Sequence, residues 1–270
     1  MNNRLDMDDR KEGIAKVGIW YVCTGRYRRF WQAFFSSCER FFLPECEKYY
    51  FIFSDRPIKE LPPSATYIYQ KKLGWPYDTL MRYHFFVAQE ALVQDMDYLF
   101  FFNANCRFRE RIHASECLHL PADLMAVSHF ELDRKARQYF MYEENPLSTA
   151  YVYPHQGEHY VLGGINGGTR DAFMKMSRTL AKQIDMDLAN GIMARCHDES
   201  HFNQYLVGRN VNILDARYGY PEAYPQESDA KILILDKRKY GGHAYLRGNV
   251  WSTYWAKLKT KLKTWFRGFR

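Results

Sequence analysis

A chain of 270 residues, 47% hydrophobic and 17% aromatic, is long enough to bury a full core and does not have the composition of a disordered segment. Its formal charge of +7 is unevenly placed: six of its 38 basic residues and no acid lie in 251–270, leaving 32 basic residues against 31 acids elsewhere. A near-neutral body argues against a nucleic-acid binder, which needs positive charge on its reading surface, and no apolar run approaches the ~20 residues of a membrane-spanning helix.

Residues 1–16 are charged and lack an apolar stretch, which predicts no secretory signal. Residues 16–23, KVGIWYVC, read as a buried strand, and 28–43 place Phe30, Phe34, Cys38, Phe41 and Phe42 at helical spacing. A second strand is predicted over 47–54, closed by Asp55 and Pro57, and a short third over 65–70 after the Pro62-Pro63 turn. Residues 78–94 predict a helix with Leu80, His84, Val87, Ala91 and Leu92 on one side. Residues 98–102, apolar on both faces, read as a central parallel strand. This β-α-β-β-α-β order predicts an α/β fold with a Rossmann-like sheet, yet it carries neither GxGxxG nor a Walker loop.

The second half continues the pattern. Strands are predicted over 122–129, 160–166, 211–214 and 231–235, and helices over 169–188 and 198–207. Residues 131–158 form a long polar and aromatic excursion. No repeat or low-complexity linker divides the chain, so residues 1–250 read as one domain. The six cysteines show no CxxC pair, which predicts reduced thiols rather than disulfides or a metal site. On a helical wheel Trp251, Tyr254, Trp255, Leu258, Leu262, Trp265, Phe266 and Phe269 share an arc of about 120°, flanked by Lys and Arg. That composition predicts a basic amphipathic C-terminal helix on an anionic membrane surface, with docking on the protein's own core as the bland alternative.

Three short stretches concentrate the chemistry. In an open α/β sheet the ligand sits beyond the carboxyl ends of the strands, and Asn103-Ala104-Asn105 stands at such an end; Asn also suits an ordinary turn. YVLGGINGG, 160–168, holds four glycines in six residues, which lets a ligand approach the backbone or makes a tight turn. HDESHFNQYL, 197–206, has histidines four apart, but Asp198 follows the first where HExxH requires glutamate, and no third ligand is evident.

In this order the three resemble one family. Together with GRYRRFWQAFFSSCERFF, WPYDTLMR, ENPLSTAYVYPHQGEHYVLGG and ANGI, they make the chain similar, from about Val17 to Arg247, to glycosyltransferase family 6, the group of the blood-group A and B transferases and the α-1,3-galactosyltransferases. The resemblance implies a GT-A fold and retaining transfer of galactose or N-acetylgalactosamine from a UDP-sugar to a galactoside 3-hydroxyl. Animal members carry Asp-x-Asp, which holds Mn²⁺ on the diphosphate, where this chain has Asn103-Ala104-Asn105. Neutral amides are poor partners for a hard dication, and the bacterial branch of the family resembles this chain in having Asn-x-Asn without metal. The expectation is therefore no metal cofactor, with Asn103 and Asn105 hydrogen-bonding the donor.

The remaining roles follow from the same resemblance. Tyr27 matches an aromatic that meets uracil, Arg82 an arginine near the donor sugar, and Asp198 a carboxylate on the sugar hydroxyls. Leu162, Gly163 and Gly164 match the stretch that reads the donor's 2-substituent, and Leu-Gly-Gly resembles the version with room for an N-acetyl group. Glu199 matches the candidate nucleophile, which also contacts the acceptor; covalent and same-face routes both stay open. His129 and Glu222 fall near acceptor-binding positions, and Cys196 replaces a tryptophan often found there. Lys237, Arg238, Lys239 and Arg247 are candidates for neutralising the UDP leaving group, on a segment expected to close over the diphosphate about a Gly241-Gly242 hinge. The composite expectation is a cytoplasmic enzyme, peripheral on the inner membrane face, using UDP-N-acetylgalactosamine and a fucosylated galactoside acceptor.

Overall fold

The computed structural model describes residues 14–118, 122–132, 135–224 and 229–248. Strands β1 (Lys16–Val22), β2 (Glu47–Ser54), β3 (Ala65–Tyr69), β4 (Tyr98–Asn103), β6 (Leu124–Ser128), β7 (Val161–Thr169) and β8 (Val211–Leu214) form a seven-stranded sheet. Its order is β3-β2-β1-β4-β7-β6-β8, parallel from β3 through β4, with β7 antiparallel to both its neighbours. A small second sheet joins β5 (Cys106–Phe108), β10 (Ile232–Ile234) and β9 (Tyr220–Pro221). The architecture is a large mixed α/β sheet flanked by helices, consistent with a GT-A-like fold.

The apolar runs explain the two-sided core. Inward and outward side chains of β1 and β4 are both buried, because helices cover both faces. On one face α1 (Trp31–Phe41) lays Trp31, Phe34, Ser37 and Cys38 against Tyr21, Phe102 and Phe108. Pro44 follows α1, and its C-cap residue Phe42 is already extended, which ends the helix. Truncating Phe34 to Ala would cost about 3–5 kcal/mol by leaving a cavity among these rings. On the other face α3 (Arg82–Ala88), α5 (Arg170–Ala189) and α6 (Asp198–Leu206) pack Phe86, Phe173 and Phe202 against Trp20 and Phe101.

Several expectations shift. The helix expected over 78–94 is broken into α2 (Tyr77–Leu80), α3 and a 3-10 turn, Glu90–Val93, because Met81 and Gln89 leave helical backbone angles. The strand 98–102 is parallel to β1 but antiparallel to β7, so it is central without being wholly parallel. The strand expected over 231–235 belongs to the small sheet. The excursion 131–158 is no solvated loop; Leu132, Phe140, Tyr142 and Val152 bury a satellite cluster with Tyr160. All six cysteines are unpaired, four of them buried, in keeping with core-filling thiols. Two short helices, α4 (Ala114–Cys117) and α7 (Gly242–Leu246), complete the set. The expected amphipathic helix at 251–270 lies outside the described residues. Among those described, no helix is long and apolar enough to cross a membrane.

Candidate active site

A cavity of about 430 Å³ opens at the carboxyl ends of β1 and β4 and the adjoining start of β7. Val22 and Thr24, Asn103 to Asn105, and Gly163 with Gly164 supply those three edges, while α3 and α6 wall it with Arg82, Asp198 and Glu199. His197 enters α6 with φ 56°, a left-handed conformation costing a non-glycine residue on the order of 1–3 kcal/mol. That turn brings two consecutive carboxylates to the cavity wall.

Those carboxylates are held differently. Glu199 accepts the Tyr160 hydroxyl at 3.0 Å on one oxygen and the Gly163 N–H at 2.7 Å on the other. Asn203, one turn along α6, pins the helix to β7 by bonding both backbone groups of Val161. Asp198 is 1% exposed, with Arg82 Nε 2.8 Å from its carboxylate. The Nε hydrogen nevertheless points to the Thr79 carbonyl, and an outer guanidinium nitrogen donates to the Gly163 carbonyl. The Asp198 carboxylate faces Arg82 and the backbone N–H groups of Asp198 and Glu199 at the start of α6, yet neither oxygen accepts a well-aligned hydrogen bond among the described residues. Burial pushes its pKa up to about 7, the Arg82 cation notwithstanding. A buried carboxylate in this state is an acceptor waiting for hydroxyl donors.

The glycines are required by their neighbours. A Cβ at Gly163 would lie 2.8 Å from Glu199 Cβ, and one at Gly164 2.1 Å from Asn103 Nδ2. The two strand-end amides have diverged. Asn103 packs against Gly164, whereas Asn105 is 2% exposed and donates to the Leu235 carbonyl at 2.8 Å, as Leu235 N–H donates back to the Asn105 carbonyl. This clamp aims the chain that follows. Lys237 enters the cavity with Nζ 5.5 Å from the Tyr27 ring centroid, and burial beside the Arg247 cation pushes its pKa down to about 8. Arg247 lies 4.6 Å from the Trp75 ring centroid. Among the described residues neither Lys237 nor Arg247 meets a carboxylate, so the wall carries positive charge without a counter-ion.

The segment bearing these cations is strapped down. Arg26 N–H donates to the Leu246 carbonyl at 3.1 Å, the Arg29 guanidinium to the Tyr240 carbonyl at 3.2 Å, and Lys72 Nζ to the Arg247 carbonyl. Two successive left-handed glycines, Gly241 at φ 94° and Gly242 at φ 80°, turn the chain between Lys237 and Arg247.

Sequence comparison agrees with this geometry. Residues 6–241 match the profile described as Glycosyltransferase family 6. The chain belongs to glycosyltransferase family 6. It is 33% identical over 226 residues to the O-antigen biosynthesis glycosyltransferase WbnI of Escherichia coli, covering 83% of this chain and 95% of that protein. It is 30% identical to human globoside alpha-1,3-N-acetylgalactosaminyltransferase 1, covering 82% of this chain and 66% of that one. With rat histo-blood group ABO system transferase 2 the identity is 26%, over 75% and 62% of the two chains. The protein is thus a glycosyltransferase, and its family implies a nucleotide-sugar donor and a glycan acceptor.

Most of the residues singled out from the family 6 motifs converge on the cavity: Tyr27, Arg82, Asn103, Asn105, Gly163, Gly164, Asp198, Glu199, Lys237 and Arg247 all line it. Leu162 does not; its side chain turns into the core, where its Cδ1 would meet a Cβ on Gly219 at 2.6 Å. His129 lies behind Glu199, donating its backbone N–H to the Tyr160 carbonyl, and burial lowers its pKa. Of the four basic candidates, Arg238 pairs with Asp236 and Lys239 with Glu222, both outside the cavity. His197 and His201 share no ligand: His197 meets Trp75 edge-on at 5.4 Å, whereas His201 is buried 3.7 Å from Asp187.

Sequence reasoning missed Lys72, Trp75, Thr79 and Tyr160 as site residues. Tyr160 sits directly before the Val-Leu-Gly-Gly run, and Trp75 inside WPYDTLMR, so position alone offered a signal. At the animal Asp-x-Asp position the donor set here is two uncharged amides, one committed to Leu235, beside an unpaired Lys and Arg. Such a set does not fit a hard divalent cation.

Proposed function

We propose that the chain is a retaining, metal-independent α-1,3-N-acetylgalactosaminyltransferase that moves GalNAc from UDP-GalNAc to the 3-hydroxyl of a 2-fucosylated galactoside. One observation carries the reading: Lys237 and Arg247, which meet no carboxylate among the described residues, face the same cavity as Asp198, a buried carboxylate with no well-aligned donor among them. A nucleotide diphosphate supplies the missing anion and its sugar the missing hydroxyls.

In this reading Tyr27 meets the base, and Lys237 and Arg247 take the growing charge on the leaving diphosphate, where preorganised cations act most strongly. Asn103 donates to the donor, and Asn105 holds Lys237 in place through Leu235. Asp198 accepts sugar hydroxyls when ionised, and the Arg82 cation opposes the rise in pKa that burial imposes. Glu199, locked by Tyr160 and Gly163, stands beneath the anomeric carbon. As the bond from C1 to the phosphate oxygen breaks, its electron pair leaves with UDP. The acceptor 3-oxygen then bonds C1 on the vacated face, either directly or after Glu199 has formed and lost an ester. On the direct route the acceptor proton passes to the departing phosphate oxygen. The preference for N-acetylgalactosamine over galactose rests on the Leu162-Gly163-Gly164 run, which resembles the family version with room for an N-acetyl group. His129 and Glu222 belong to the acceptor side.

Residues 251–270 are proposed to hold the enzyme on the cytoplasmic face of an anionic inner membrane, on the strength of their basic and aromatic composition. Deleting them should lower recovery in the membrane fraction, and unchanged recovery would sink this part of the reading.

The test is UDP release from UDP-GalNAc with 2′-fucosyllactose in excess EDTA. Turnover should survive EDTA and collapse in Glu199→Gln. Loss of activity with EDTA would sink the metal-independent reading. Faster turnover with UDP-galactose would replace the donor, and tight donor binding without transfer to any galactoside would make the protein a carbohydrate binder.

A further inference from the structure

The near-balance of charge outside 251–270 conceals a segregated surface. A groove beside the cavity is lined by Arg26, Arg28, Arg29, Arg56, Lys59 and Tyr245, with Pro57 and Ile58 between them and no acid. Arg26, Arg28 and Arg29 hydrogen-bond neutral carbonyls, those of Tyr245, Gly25 and Tyr240, so their charge stays available. Of the two acids that flank 56–59 in sequence, Asp55 is committed to the Gly25 N–H at 2.6 Å, and Glu60 is exposed directly after Lys59.

This groove adjoins a row of exposed apolar side chains. Gln70 N–H donates to the Ser54 carbonyl at 3.0 Å, which sets Tyr69 and Gln70 beside Ser54 at the carboxyl ends of β2 and β3, where 55–59 begin. Tyr69 is 67% exposed and Trp75 53%, with Leu73 and Tyr77 exposed between and beside them. Lys71 is exposed among them. A cluster of outward Tyr, Trp and Leu ringed by Lys and Arg is unusual on a solvated surface. The described chain reaches Gly248 next to Lys72, on this same edge, and continues from there into its most basic and aromatic stretch.

We propose that residues 54–59 and 69–71, with Arg26, Arg28, Arg29 and Leu73, form a docking surface for an anionic phospholipid bilayer. Tyr69 and Leu73 enter the interface while Arg56, Lys59 and Lys71 contact lipid phosphates. The surface lies on the folded body and is distinct from the contribution proposed for 251–270. It also does not rest on the donor or acceptor assignments.

The experiment is co-sedimentation of the full chain with vesicles of phosphatidylcholine alone, or with about one lipid in three replaced by phosphatidylglycerol. Partitioning should require the anionic lipid. The double variant Arg56→Gln/Lys59→Gln should weaken it about 25-fold, at about fivefold per cation. Tyr69→Ser/Leu73→Ser should weaken it about tenfold. Both variants should keep wild-type circular dichroism and wild-type UDP release with a soluble acceptor, which excludes misfolding. The proposal is overturned if wild type fails to sediment with anionic vesicles, sediments equally with neutral ones, or sediments unchanged in both double variants. Vesicle binding with no sugar transfer would remove the transferase reading and leave this one standing.

Discussion

The two walls of the cavity are built on opposite principles. The wall formed by β7 and α6 is rigid and dry: Glu199 has a donor on each oxygen, Asn203 fastens helix to strand, and Asp198 is buried against Arg82. The facing wall, from Asn105 to Arg247, holds its cations on a 3-10 turn and two left-handed glycines, tied down by side-chain straps from Arg26, Arg29 and Lys72. Chemistry at an anomeric carbon tolerates little displacement, whereas a diphosphate has to enter and leave. In the function proposed above, the wall with both carboxylates meets the anomeric carbon and the strapped, glycine-jointed segment meets the diphosphate.

Breaking the rigid wall should have the largest effect. Glu199→Gln keeps the shape but removes the charge and turns one of the two accepting oxygens into a donor, and kcat measured by UDP release should fall by about 10³-fold or more. On the cationic wall, Lys237→Gln should cost about 10²–10³-fold in kcat/KM, while Arg238→Gln, which removes a cation outside the cavity, should change it by less than about threefold. Equal losses in the two would erase the distinction between inward and outward lysine and arginine.

The pH profile sharpens the same comparison. Asp198, raised to about 7, must be ionised to accept sugar hydroxyls, so kcat/KM should fall as pH drops through about 7. Lys237, lowered to about 8, loses its charge above that value, so kcat/KM should fall again as pH rises through about 8. Lys237→Arg should remove the alkaline limb alone, and Asp198→Asn the acid limb at a lower plateau. A profile flat from pH 6 to 9 would contradict both assignments.

A smaller effect is expected where the walls touch. Gly164→Ala drives a methyl into the Asn103 amide, displaces that donor-side group and should lower kcat/KM for UDP-GalNAc about tenfold, measured by UDP release. The smallest effect is on stability. Burial lowers the His201 pKa to about 4, so the unfolded chain binds its proton first. Stability should therefore decline as pH falls from about 6.5 towards 4, by an amount that His201→Gln abolishes in urea titrations at the two pH values.

Much of this was legible in the residues. Continuous apolar runs at 16–23, 47–54 and 98–102 could only be buried strands, and their ends located the ligand edge before any coordinates did. The motif order placed Asp198, Glu199, the double glycine and the Asn-x-Asn pair in one site. The break of the 78–94 helix was not legible, since Met81 and Gln89 are ordinary helix residues. Their departure from helical angles places Arg82 at the start of a new helix, between Asp198 and Gly163.

What the chain determined alone is therefore what depends on neighbours in sequence: strand and helix periodicity, turn residues, and which chemical groups stand at strand ends. Only the tertiary structure decided which two of four basic residues face the cavity, why Asn105 needs an amide donor, that Leu162 turns inward, and that Tyr160 holds Glu199. Each of those outcomes rests on a contact between segments far apart. Asn105 meets Leu235 across 130 residues and Lys72 meets Arg247 across 175. Side-chain direction in short turns and loops is set by such distant partners, and local propensity carries no information about them.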